Sequence, residues 1–96
     1  MEKTLAQVDP DVYDAYIGHY QFVDEPDYGI LITRLGDRLF KQDLPDGRRV
    51  ELWPESETKY FIVENGATMT FFWDATGSVN ALKLGWGEKL IKISQY

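Results

Sequence analysis

Apolar and polar residues alternate with a period of two along most of this chain, in short runs separated by Gly, Asp, Asn and Pro. That alternation marks half-buried strands rather than amphipathic helices. Residues 50–73 show it most plainly. Val50-Glu51-Leu52-Trp53 alternates, Pro54-Glu55-Ser56-Glu57-Thr58 interrupts, and Lys59-Tyr60-Phe61-Ile62-Val63 resumes as a β-rich run, which together predict a hairpin. Asn65-Gly66 tolerates the positive φ of a tight turn. Ala67-Thr68-Met69-Thr70-Phe71-Phe72-Trp73 then returns as a further strand.

The same reading extends in both directions. His19-Tyr20-Gln21-Phe22-Val23 predicts a strand that stops at Asp24-Glu25-Pro26-Asp27. A second runs from Tyr28 or Gly29 to Leu35, Gly36-Asp37 turns the chain, and Arg38-Leu39-Phe40-Lys41-Gln42 comes back. Leu44-Pro45-Asp46-Gly47 is another turn, leading through Arg48 and Arg49 into the strand at Val50. After Trp73, Asp74-Ala75-Thr76-Gly77 precedes a strand over 78–84, and Gly85-Trp86-Gly87 precedes a strand over 88–94. Only the start of the chain breaks the period. There Asp9 can cap free amides, Pro10 suits a first helical position and Asp11 sits at the positive end of the dipole. Val12, Tyr13, Tyr16 and Ile17 fall on one helical face, with Asp11, Asp14 and Ala15 opposite and Gly18 ending the helix.

Eight short strands with short connections are most simply antiparallel neighbours in sequence order. The expected fold is mostly β, a single antiparallel up-and-down meander closing into a small lipocalin-like barrel with one short N-terminal helix. Closure satisfies the two edges that a flat sheet would leave open; a curved, half-open sheet wrapped on the helix is the alternative. Residues 1–8 are expected to be loose and 9–96 to form the one domain, since 96 residues suit a single core.

Composition narrows the partners. A formal charge of −6 lacks the cationic footprint that nucleic acid or an anionic membrane demands. No apolar run reaches the ~20 residues of a membrane-spanning helix, and residues 1–7 lack an apolar signal core. The absence of cysteine removes disulfides and thiolate chemistry and fits either redox compartment.

Four phrases, taken in order, carry a family resemblance: Tyr13-Asp14-Ala15-Tyr16-Ile17-Gly18-His19-Tyr20, then residues 31–40 with Gly36-Asp37-Arg38-Leu39, then 52–61 with Leu52-Trp53-Pro54-Glu55-Ser56, then 70–79 with Gly77-Ser78-Val79. In this the chain resembles the small C-terminal domain of unknown function appended to many β-lactamase-like serine hydrolases and penicillin-binding-protein-related peptidases. The resemblance implies a lipocalin-like barrel without catalytic residues of its own, an accessory module beside a hydrolase whose nucleophile lies in the neighbouring domain. If the chain is a module excised from such a hydrolase, the resemblance also implies a periplasmic or secreted setting; as a stand-alone relative its compartment stays open.

The residues themselves offer little independent chemistry. Ser56-Glu57-Thr58-Lys59 matches the literal Ser-x-x-Lys of those hydrolases, but that motif needs a helix N-terminus and a Lys-Thr-Gly element, and the chain has neither. His19 is the single histidine and reads as an ordinary strand residue. Asp24, Glu25 and Asp27 are interrupted by Pro26 and read as a solvated turn rather than a calcium loop, and Glu55 with Glu57 lacks the opposed geometry of glycosidase acids. No catalytic residue, metal site or cofactor is expected. Tyr16, Tyr20, Phe22, Phe40, Tyr60 or Phe61, and Phe71 should fill the barrel. Tyr28, Trp53 and Trp86 stand at strand ends, where large aromatics either lid a core or anchor a partner. The expected role is a noncatalytic module contacting a serine-hydrolase domain, another subunit or a second copy of itself. A barrel holding a small hydrophobic ligand is the alternative.

Overall fold

A computed structural model describes residues 9–45, 47–64, 66–85 and 87–94. Eight antiparallel strands pair in sequence order and close into a barrel: β1 (Gly18–Phe22), β2 (Gly29–Leu35), β3 (Arg38–Leu44), β4 (Arg49–Pro54), β5 (Lys59–Ile62), β6 (Thr68–Trp73), β7 (Val79–Leu84) and β8 (Lys89–Ser94). The expected meander is therefore present and closed. The seam between β1 and β8 sets Tyr20 opposite Lys92 and Phe22 opposite Leu90, with an irregularity at His19 and Tyr20.

The predicted helix is divided. Pro10–Val12 form a 3-10 turn, and α1 spans Tyr13–Tyr16. Asp9 acts on the first of these: its carboxylate accepts from the amide of Asp11 at 3.0 Å. The helix stops before Gly18, because Ile17 is already extended at φ −60° and ψ 133°. Ala15, expected to face solvent, is half-buried against the core. The turn residues Asp46 and Asn65 and the residues 1–8 lie outside the described residues.

Pleating places Tyr20, Ile30, Ile32, Leu39, Leu52, Tyr60, Met69, Phe71, Leu82 and Leu90 inside, all essentially without exposure. The helix sends Tyr16 into one end of the barrel, where its ring stacks on Phe71 at 4.1 Å and meets Tyr60 edge-on at 5.5 Å. Burying each such aromatic or aliphatic side chain contributes about 1.5–3 kcal/mol, so four residues of α1 are held by what they bury, since a helix this short has no stability of its own. One expected interior aromatic, Phe40, lies elsewhere, and of the alternatives Tyr60 and Phe61 it is Tyr60 that enters the barrel. Phe40 alternates with the inward Leu39 and Lys41, so it stands outside, covered by the guanidinium groups of Arg38 and Arg49 at 5.4 and 4.7 Å from its ring. Phe61 pairs across the outer surface with Trp53 at 6.3 Å. Both are buried by neighbours rather than by the barrel.

Candidate functional site

The two ends of the barrel differ. At the end where β2 meets β3 and β4 meets β5, α1 forms a plug tied down by directional bonds. Tyr16 donates its hydroxyl to the carbonyl of Glu57, and Tyr20 donates to the carbonyl of Tyr16 at 2.8 Å. Lys92, inward on β8, donates its ammonium to the carbonyl of Ala15 at 3.0 Å and lies 5.8 Å from the Tyr20 ring centre. Arg34 reaches Asp14 at 3.0 Å and Asp11 at 3.8 Å. The phenols respond to this packing: burial pushes Tyr13, Tyr16, Tyr20 and Tyr60 above the usual tyrosine range. Burial likewise lowers the pKa of the Lys92 ammonium.

The other end, between the β1–β2 and β3–β4 connections, carries no helix among the described residues. A cleft of about 290 Å³ opens there, with Phe22, Tyr28, Ile30, Leu44 and Leu84 as its apolar walls and Glu25, Lys41 and Asp43 as its charged groups. Lys41 is 8% exposed, and its ammonium pairs with the Asp43 carboxylate at 2.8 Å. The strand period alone foretells a lysine on the Leu39 face of β3, yet its burial was not anticipated from the sequence.

Of the aromatics singled out at strand ends, Tyr28 lines this cleft and is 51% exposed, whereas Trp53 is 39% exposed on the outer wall beside Phe61. They are not brought together, and Trp86 lies outside the described residues. The Ser-x-x-Lys segment has the geometry of a turn. The Ser56 hydroxyl accepts from the amides of Thr58 and Lys59 at 3.3 and 3.1 Å, and the Lys59 ammonium sits 3.2 Å from Glu55 rather than on the serine. Asp24, Glu25 and Asp27 are exposed, and among the described residues no three His, Asp or Glu side chains are grouped to hold a metal ion.

A second surface went unnoticed in the sequence. On β8 the run Leu90-Ile91-Lys92-Ile93 turns Leu90 and Lys92 inward, leaving Ile91 47% and Ile93 51% exposed. The outer row continues through Ala81 to Phe72, which is 39% exposed. Alternation was visible, but two residue faces competed for the interior. Leu90 and Lys92 take it, with the Lys92 ammonium donating to the plug at Ala15.

A closed up-and-down barrel, plugged by α1 at one end and opening into a cleft at the other, is the class of protein these features define. A scan against protein-family models finds no match for the sequence, and neither does a search of curated proteins.

Proposed function

We propose that this chain is a noncatalytic interaction module, a barrel that acts by packing its outer surface against a protein partner. The observation that carries the reading is the state of the interior. Tyr16, Tyr20, Tyr60 and Phe71 occupy it as one contacting cluster beneath the plug, so the surface is what remains for recognition. Partner anchors are typically exposed aromatic and apolar groups within a polar rim, and Tyr28, Trp53, Phe72, Ile91 and Ile93 supply such groups. Following the sequence resemblance, the partner class is the catalytic domain of a β-lactamase-like serine hydrolase, whose active-site access the lipocalin-like barrel would shape. The test is titration of the chain against a β-lactamase-like serine-hydrolase domain, read by calorimetry and by turnover of a chromogenic β-lactam or ester. Neither binding nor changed turnover would remove the reading.

A second reading draws on the open-end cleft. Its apolar walls around Lys41 suit a small amphipathic molecule, although about 290 Å³ lies at the lower limit of ordinary ligand pockets. Saturable binding of a medium-chain fatty acid, lost in Lys41→Met, would favour it; a fatty-acid and dye screen without saturation would set it aside.

A further inference from the structure

The wall formed by β6, β7 and β8 presents apolar side chains and lysines and carries no carboxylate. The chain carries 16 Asp and Glu against 10 Lys and Arg, yet within the strands acids occur only at Asp43 on β3 and Glu51 on β4, so β6, β7 and β8 form a continuous wall without one. Across that wall Phe72, Ala81 and Ile91 stand in one cross-strand row, and Ile93 extends the apolar area along β8. Beside this row Lys83 is paired directly opposite Lys89, both exposed, and the Lys89 ammonium lies 5.9 Å from the Phe72 ring centre. Like charges placed directly opposite each other on a sheet destabilise it. The wall therefore combines two features that a solitary barrel gains nothing from: exposed isoleucines and two facing ammonium groups that form no ion pair among the described residues.

Resting on the reading of the chain as an interaction module, we propose that this wall is its docking surface. The occupant is a protein face with an apolar centre flanked by carboxylates. Phe72, Ile91 and Ile93 would meet the apolar centre, and Lys83 with Lys89 would meet the acids. Charge complementarity selects this occupant over a second copy of the chain. Two such walls face to face would bring four lysines together, and the overall charge of −6 already holds copies apart. It also gives the interface a specificity device, because a basic partner face is rejected by the same lysines that attract an acidic one.

The probe is a pair of synthetic peptides, an acetylated and amidated five-residue peptide alternating Glu and Leu, and its counterpart alternating Lys and Leu. Each is titrated into the isotope-labelled full chain and followed by amide shifts. The expected result is saturable shifts at Phe72, Ala81, Lys83, Lys89, Ile91 and Ile93 with the acidic peptide, weakened by salt, and none there with the basic one. The Lys83→Glu/Lys89→Glu double variant should invert the preference, losing about tenfold or more for the acidic peptide. Lys83→Gln/Lys89→Gln serves as the neutral variant, with circular dichroism checking the fold of both. Equal response to both peptides, shifts confined to the open-end cleft or to Trp53, or an unchanged double variant would overturn the proposal. So would concentration-dependent self-association through the same amides. The hydrolase titration separates the two levels of argument. Undiminished hydrolase binding by the Lys83→Glu/Lys89→Glu variant overturns this wall and leaves the module standing. Peptide binding without any hydrolase binding overturns the partner and leaves the wall.

Discussion

Raising the pH past the ordinary tyrosine range should unfold this barrel, and the steepness of that transition can be worked from the plug. Tyr20 and Tyr60 have no exposed surface and hold their protons well above the usual tyrosine range, chiefly because burial penalises the phenolate. In the unfolded chain they ionise near 10, so above that pH the unfolded state binds fewer protons than the folded one. Stability from each tyrosine is then fully present below about pH 10 and falls as pH climbs toward the folded value, by about 1.4 kcal/mol per pH unit. At about pH 11.5 the two together remove about 4 kcal/mol, a large share of the roughly 5–15 kcal/mol that holds a domain of this size. Tyr13 and Tyr16 act in the same direction. Lys92 acts the other way, since its lowered pKa makes folding more favourable as pH rises toward 10.5; it is common to the proteins compared and cancels. The comparison is wild type against Tyr20→Phe, by urea unfolding at a series of pH values with circular dichroism and phenolate absorbance. Tyr20→Phe loses the hydroxyl bond to the Tyr16 carbonyl and should be about 1 kcal/mol weaker at neutral pH. Yet it should lose about 2 kcal/mol less between neutral pH and about pH 11.5. Equal alkaline losses in the two proteins, or full phenolate absorbance from a barrel with intact dichroism, would refute the reasoning.

Three further outcomes are expected. Gly29→Ala should cost about 2 kcal/mol or more in urea unfolding, because its Cβ would fall 2.3 Å from the backbone oxygen of Tyr20, an atom fixed in the β1–β2 ladder; wild-type stability would show that the strands separate freely there. Arg34→Ala should cost less than about 1 kcal/mol, and molar salt should erase the difference, since the carboxylates of Asp11 and Asp14 that Arg34 meets are largely exposed. Ser56→Ala should lower thermal stability by less than about 1 kcal/mol through loss of the acceptor for two turn amides. It should leave hydrolysis of a chromogenic β-lactam at the buffer rate of the parent chain.

The strands and their order were legible because each apolar run is bounded by residues that cannot continue it, and because short connections allow only antiparallel neighbours. Closure was legible from the edges that an open sheet would expose. The sides of the sheet were less so. Phe40 reads as a core residue from its chemistry, but β3 also contains Leu39, and a strand can turn only one parity inward; the arginines at 38 and 49 then cover the phenylalanine from outside. Tyr28 and Trp53 were picked out as strand-end aromatics, and each is partly exposed, on separate surfaces. The buried Lys41 and the exposed Ile91 and Ile93 escaped because both contradict the expectation that charge faces water. Only the contacts made at the far end of each side chain reverse it.

One side chain links the plug to the proposed docking wall. If β8 were turned over, Ile91 and Ile93 would enter the barrel and Lys92 would leave it, a change that hydrophobic burial alone favours. Against it stand the contacts the present parity makes: Leu90 is fully buried, Lys92 donates to the last turn of α1, and its ammonium lies over the Tyr20 ring. The barrel register fixes both consequences together, since a shift of one residue exchanges the two faces of the whole strand. The same pairing that seals the helix end thus puts two isoleucines on the surface between Phe72 and the β1 seam. Lys92→Leu separates these consequences. It removes the ammonium that bonds Ala15 while keeping an inward apolar stem, so the α1 amides should lose protection from hydrogen exchange while the Phe72–Ile91 row stays in place. A loss of wall shifts with the acidic peptide in that variant would mean that the register of β8, and not packing alone, depends on the lysine.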